Sequence, residues 1–171
     1  HFDGLLDAVD GLLGGHTRQR RLEIMRDERT GAFGVAAGGL ILLAMFSALN
    51  ALPADRWPAL VAAPILGRCA ISVCIVALPY ARKAGLGRDI KDYARPIHAV
   101  VAVLSTLVLL AVIAWRTHPV TAGLAALVAL VIGILVSRFV QGRIGGMTGD
   151  TYGAIDMLIE LGVLLVFAAA A

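Results

Sequence analysis

Cysteine is scarce in this chain, with two in 171 residues. Cys69 and Cys74 both fall inside one apolar stretch. Their spacing suits neither a zinc site nor a secreted disulfide framework, and they are read as small apolar packing residues. Charge is sparse as well, at 16% Asp, Glu, Lys and Arg. The net charge of +3 is not a nucleic-acid footprint, because the cations sit in short connections between apolar runs, as membrane topology places them. No internal repeat of roughly 20–50 residues is visible, and no low-complexity linker. The apolar runs are continuous rather than alternating, which disfavours a closed β-barrel. His1, His16, His98 and His118 show no ligand spacing.

What the chain has instead is apolar length. It is 59% hydrophobic, with a mean hydropathy of +0.85, more than a water-soluble domain of this size can hide. A bilayer span takes about 20 residues, and five stretches qualify: 33–50, 57–80, 97–115, 119–141 and 152–171. Residues 1–15 read as the end of an earlier membrane helix. The chain starts at His1, already inside an acidic motif, so the expectation is a trimmed chain lacking an N-terminal segment. The fold class expected is all-α: a polytopic helical membrane protein of about five full transmembrane helices plus a partial N-terminal one, in a single membrane-embedded domain over 1–171.

Orientation follows from Lys and Arg. Arg18, Arg20, Arg21, Arg26 and Arg29 crowd the 16–32 connection, and Arg82, Lys83, Arg88, Lys91 and Arg95 the 81–96 connection. By contrast, 51–56 carries only Arg56 and 116–118 only Arg116. Segments 16–32, 81–96 and 142–151 are therefore expected on the cytoplasmic side. Trp57 and Trp115 fall at the opposite interface.

Three motifs carry chemistry. The first is Asp3-Gly4-x-x-Asp7-x-x-Asp10-Gly11. At 100° per residue, Asp7 lies about 40° from Asp3 and Asp10 about 20° to its other side, so all three carboxylates share one helix face. Three acids on an otherwise apolar helix repel one another and are costly to bury without a cation. Hard divalent ions such as Mg²⁺ take carboxylate and phosphate oxygens. The plain alternative is a solvated acidic stripe. The second motif is Arg26-Asp27-x-x-x-Gly31-x-x-Gly34. The guanidinium fork suits phosphate, but a basic topogenic loop explains Arg26 and Asp27 equally well, and explains Arg18, Arg20 and Arg21 better. The third is Gly145-Gly146-Met147-Thr148-Gly149-Asp150, a glycine-rich turn opening a helix and offering free N–H groups to an anion. There the ordinary role of Asp150 would be an N-cap. Asp156 and Glu160 follow on one face of an apolar span, and Arg68 sits near the middle of another. Intramembrane charges mark function or pair with one another; Arg68 faces either an anionic ligand or Asp156 and Glu160.

At these residues the chain resembles the cobalamin synthase family, also called adenosylcobinamide-GDP ribazoletransferase. The matching stretches are HFDGLLDAVDGLLGG at 1–15, RRLEIMRDERTGAFGV at 20–35, LGRCA at 66–70, YARKAGLG at 80–87 and GGMTGDTYGA at 145–154. They cover nearly the whole chain in family order. The resemblance implies a multi-pass enzyme of the bacterial inner membrane with its active site facing the cytoplasm and Mg²⁺ as cofactor. The reaction it implies joins adenosylcobinamide-GDP and α-ribazole, or its 5′-phosphate, to give adenosylcobalamin, or its 5′-phosphate, and GMP. Two departures stand out. Family members usually carry a further membrane segment before the first acidic motif, and many have Glu where this chain has Met157.

On this reading Asp3, Asp7, Asp10 and Asp150 are the expected metal ligands. Arg26, Gly31, Arg68, Arg82, Gly146, Thr148 and Gly149 are the expected substrate-binding residues, and Asp7, Asp10, Asp27 and Glu160 the catalytic candidates. The lipid bilayer is the expected surrounding, no nucleic acid is expected, and the oligomeric state stays open. Two rivals remain. A CDP-alcohol phosphotransferase would share Asp7, Asp10 and Gly11, but Gly14 and Gly15 stand where its Ala-Arg would be. A cation-coupled transporter would use Asp156, Glu160 and Arg68 along a path.

Overall fold

The computed structural model describes residues 1–84 and 86–170; Gly85 of the 80–87 stretch and the last residue of the fifth apolar stretch lie outside them. Eight helices follow in order among the described residues: α1 (Phe2–Gly14), α2 (Arg18–Ile24), α3 (Ala32–Ala51), α4 (Trp57–Ala77), α5 (Leu86–Tyr93), α6 (Pro96–Arg116), α7 (Pro119–Ile144) and α8 (Gly149–Ala169). Five of them, α3, α4, α6, α7 and α8, are long and apolar enough to cross a membrane. At 1.5 Å per residue, the 13 residues of α1 reach about 20 Å, short of the roughly 30 Å of a hydrocarbon core. The chain is a polytopic helical membrane protein.

Helix boundaries follow local chemistry. Pro58, Pro96 and Pro119 sit in the first turns of α4, α6 and α7, where a missing N–H costs nothing. α4 stops at Ala77, three residues short of the apolar run, because Leu78 is extended ahead of Pro79. α7 ends at Gly145, whose φ of 73° is the left-handed conformation that favours glycine. α8 begins at Gly149, earlier than hydropathy suggests, because Thr148 caps it. The Thr148 hydroxyl accepts from the Thr151 N–H, and the Thr151 hydroxyl accepts from the Thr148 N–H. The two basic connections are not plain loops: they contain α2 and α5. In the second, the Lys91 ammonium donates to the carbonyls of Ile75 and Val76 at 2.6 and 2.8 Å, which satisfies the C-terminus of α4.

α8 is the central element. Half of its most apolar window is buried, against 17–33% for the other four spans, and it packs on α4, α7, α1 and α3. Small residues on α4, Ala59, Ala62, Ala63 and Gly67, are buried against it, so the backbones approach closely. Tyr152, Ile155, Ile159 and Val163 of α8 are all buried in the core. Large side chains such as Leu40, Leu43, Phe46, Val108 and Leu135 point outward, as lipid-facing positions do.

The 16–32, 81–96 and 142–151 connections meet at one end of the bundle. The Ala81 N–H donates to the Met147 carbonyl, and the Met147 N–H donates to the Pro79 carbonyl, both at 2.8 Å. Arg18 of α2 ties into the same clasp, its Nε donating to the Ile144 carbonyl at 2.7 Å and its Nη2 to the Ala81 carbonyl at 3.1 Å. Arg21 donates to the Arg143 carbonyl at 3.0 Å. A cation on the free carbonyls at the end of α7 is also favoured by the helix dipole.

Candidate functional site

The acidic face of α1 turns toward the start of α8. A Cβ added at Gly4 would lie 3.0 Å from the Asp150 carbonyl oxygen and 3.1 Å from its Cα, so only glycine lets the two helices touch there. This contact brings Asp3 and Asp7 to Asp150. Thr148, not Asp150, does the capping. Asp150 is therefore free to accept from Arg82 Nη2 at 3.0 Å and from the Thr148 hydroxyl at 3.3 Å. The Asp7 carboxyl is pushed up to about 6, first by burial, then by the charges of Asp3, Asp150 and Asp10, with Arg82 pulling the other way. A carboxylate crowded by three others in a partly buried site favours its neutral form or a bound cation.

Asp10 has a different task. Its residue is 6% exposed, and its two oxygens accept from the N–H groups of Gly31 and Gly34 at 2.7 and 2.8 Å. It is a cap for α3 supplied by another helix: the carboxylate satisfies orphan donors and faces the positive dipole end. A Cβ at Gly31 would sit 2.6 Å from an Asp10 oxygen, which is why glycine stands there rather than for a substrate. Each Asp10 oxygen thus already accepts one N–H bond, so an ion there would share a carboxylate that also caps α3.

The remaining expected residues divide. Arg82 joins the acidic group. Gly149 opens α8 with free space where a Cβ would be. Gly146 and Thr148 are absorbed by structure: Thr148 is fully buried in the cap, and a Cβ at Gly146 would lie 2.7 Å from the Pro79 carbonyl oxygen and 2.9 Å from the Ala81 nitrogen, preventing the clasp. Arg26 is exposed on the 16–31 connection. Asp27 is held by Arg29, which donates to it at 3.0 Å; that hydrogen bond lowers its carboxyl to about 2, so Asp27 is a poor base. Arg68 bridges Asp156, at 2.7 Å, and Glu160. In this ion-pair arrangement Asp156 is buried while Arg68 is half-exposed, and neither Arg82 nor Asp150 takes part. Asp156 is fully buried with one oxygen unpartnered, and that oxygen lies where a Cβ on Gly67 would be.

Arg18 and Arg21, topogenic by local sequence, brace this end of the bundle. Two of their carbonyl partners, Ile144 and Arg143, end a helix about 120 positions away, and no local spacing signals such a contact.

Among the described residues no three His, Cys, Asp or Glu side chains stand close enough to form a closed metal cage. Mg²⁺ does not ask for one: it is commonly held by one or two carboxylates together with water and substrate phosphate. Asp3, Asp7 and Asp150 present hard oxygen donors of that kind, so the donor set fits the ion.

The family model described as cobalamin-5-phosphate synthase matches residues 1–168. The adenosylcobinamide-GDP ribazoletransferase of Desulforamulus reducens is 41% identical over 167 residues, covering 96% of this chain and 65% of that protein. Its namesake from a Roseiflexus species is 39% identical, covering 94% and 59%, and that of Syntrophobacter fumaroxidans is 41% identical, covering 99% and 67%. The chain thus spans between 59 and 67% of the length of these relatives. No solved structure matches. With the acidic face of α1, the 80–84 connection and the turn into α8 all within the matched region, the chain belongs to the cobalamin-5-phosphate synthase family.

Proposed function

We propose that this chain carries the catalytic centre of an adenosylcobinamide-GDP ribazoletransferase. It joins adenosylcobinamide-GDP to α-ribazole, or its 5′-phosphate, releasing GMP and giving adenosylcobalamin, or its 5′-phosphate. The observation that supports this reading is the meeting of Asp3, Asp7 and Asp150 with Arg82 at the end of the bundle where the two connections crowded with Lys and Arg gather. By the positive-inside rule that end faces the cytoplasm, and the membrane is the bacterial inner membrane.

The chemistry is an alcohol displacing a phosphate ester. The ribazole hydroxyl attacks the cobinamide-linked phosphorus, the P–O bond of the diphosphate bridge breaks, and GMP departs with the bridging oxygen. Mg²⁺, held by one or two of Asp3, Asp7 and Asp150 together with the diphosphate, would supply Lewis-acid stabilisation there. The chain's own groups do the rest. Arg82, anchored on Asp150 and walled in to 15% side-chain exposure, is a fixed cation at the edge of the acidic group; positioning and charge stabilisation dominate phosphoryl transfer. Asp10 and the Arg18 clasp hold α3 and the 78–84 connection in register. Asp7 lies in the acidic group beside the reacting diphosphate and would take the hydroxyl proton on an oxygen not engaged by the cation, ahead of Asp27 or Glu160.

The test is incubation of the purified protein with adenosylcobinamide-GDP, α-ribazole and Mg²⁺. Metal-dependent appearance of GMP is expected. Its absence in correctly folded protein would remove the transferase reading and leave the transporter, with Arg68, Asp156 and Glu160 on its path, as the rival.

A further inference from the structure

A cleft of about 630 Å³ opens at the basic end between α2 and the 78–84 connection, within the range of small-ligand sites. One face of α2 forms one wall through Arg18, Leu22 and Glu23, continued by Arg26; Arg82 and Lys83 form the other. Four cations and one acid line it. The cations differ in availability. Arg18 is spent on the Ile144 and Ala81 carbonyls, and Arg82 is held by Asp150. Arg26 and Lys83 are exposed and make no ion pair among the described residues. A second cleft, between α4, α5 and α6, has no Lys or Arg among its described lining residues and lacks the chemistry to hold a phosphate.

We propose that the α2 cleft is the guanine-nucleotide subsite, with Arg26 and Lys83 on the phosphate and the Glu23 carboxylate on the base. The proposal rests on the transferase reading above and assigns one half of its substrate a place. Arg82 links the acidic group to the cleft: its guanidinium bonds Asp150 and the residue also lines the cleft. A diphosphate bound at Asp3, Asp7 and Asp150 therefore leads directly into this basic channel. Among the described residues Glu23 is the one acid lining the cleft. Its oxygens each accept one bond, from Gln19 at 3.1 Å and Arg20 at 3.4 Å, which leaves each oxygen a further lone pair. A carboxylate accepts the adjacent N1–H and N2–H donors of guanine together. Adenine offers an acceptor at N1 instead and is repelled.

The experiment measures equilibrium binding of GMP, AMP and pyrophosphate to the detergent-purified protein, alongside the GMP-release assay. The parent is expected to prefer GMP over AMP by at least about tenfold. Lys83→Ala and Arg26→Ala should each weaken GMP about fivefold, as partly exposed charge-assisted contacts do. Glu23→Gln should leave pyrophosphate binding intact and bring the GMP preference below about twofold. Arg88→Ala, which removes a cation outside the cleft, should change none of these. Equal binding of GMP and AMP by the parent, or parent-like GMP binding in all three cleft variants, overturns the subsite even where GMP release shows that the transferase reading stands. Discriminating GMP binding without any GMP release would keep the subsite and sink the reaction.

Discussion

Asp10 offers the sharpest separation between a ligand and a scaffold residue. Replacing it with Ala removes both acceptors from the Gly31 and Gly34 N–H groups, which bond it at 2.7 and 2.8 Å. A lost N-cap costs about 1 kcal/mol, and a hydrogen bond to a charged group contributes about 1.5–3 kcal/mol. With the two contacts sharing one carboxylate, a total near 3 kcal/mol is expected. For a chain of this length, 1 kcal/mol corresponds to roughly 2–4 °C, so Asp10→Ala should lower Tm by about 6–12 °C. Asp10→Asn keeps one acceptor but turns an amide N–H toward a backbone N–H, and should lose about half as much. The assay is thermal unfolding in detergent followed by circular dichroism, without Mg²⁺, so that no metal effect enters. If Asp10→Ala melts within about 1 °C of the parent while turnover vanishes, the capping role is wrong and Asp10 is a ligand first.

Asp7 should behave oppositely. Asp7→Asn removes a like charge from a crowded face, so metal-free Tm should hold or rise while turnover at ordinary Mg²⁺ is abolished; near-normal turnover would end the metal-site reading. The folded carboxyl is raised to about 6 from 3.8, so the stability it contributes is fully present below pH 3.8 and is lost as pH rises through about 6. Metal-free parent should therefore melt higher at pH 5 than at pH 7.5, and Asp7→Asn should flatten that difference. Arg68→Leu leaves Asp156 and Glu160 facing each other without their cation, and should lower Tm by several degrees; adding Asp156→Asn should restore part of the loss, and no change in either variant would make the ion pair incidental. Cysteines introduced at 24, 89 and 145 in a chain freed of Cys69 and Cys74 should react from the cytoplasmic side and those at 54 and 117 from the other, and finding 24 and 145 on opposite faces would break the shared site.

Periodicity and hydropathy alone determine much of this protein. Five spans, their alternation, the side on which the basic connections gather and the shared face of Asp3, Asp7 and Asp10 all follow from local sequence. Apolar length and cation placement are one-dimensional properties, so one dimension is enough to read them. Which carboxylate does what is not such a property. Asp7 and Asp10 are both acids on the same helix face, yet one is crowded by charge and the other accepts from N–H groups at the start of a helix that begins 22 residues later. Thr148 rather than Asp150 caps α8, and this releases Asp150 to Arg82. Gly146 looks like a phosphate-loop glycine and is instead the point where two connections touch. Arg18 looks topogenic and instead ties α2 to the end of α7 and to the 78–84 connection. Each assignment depends on a backbone group distant in sequence, and only the packing of α1, α2, α7 and α8 brings that group within hydrogen-bonding distance.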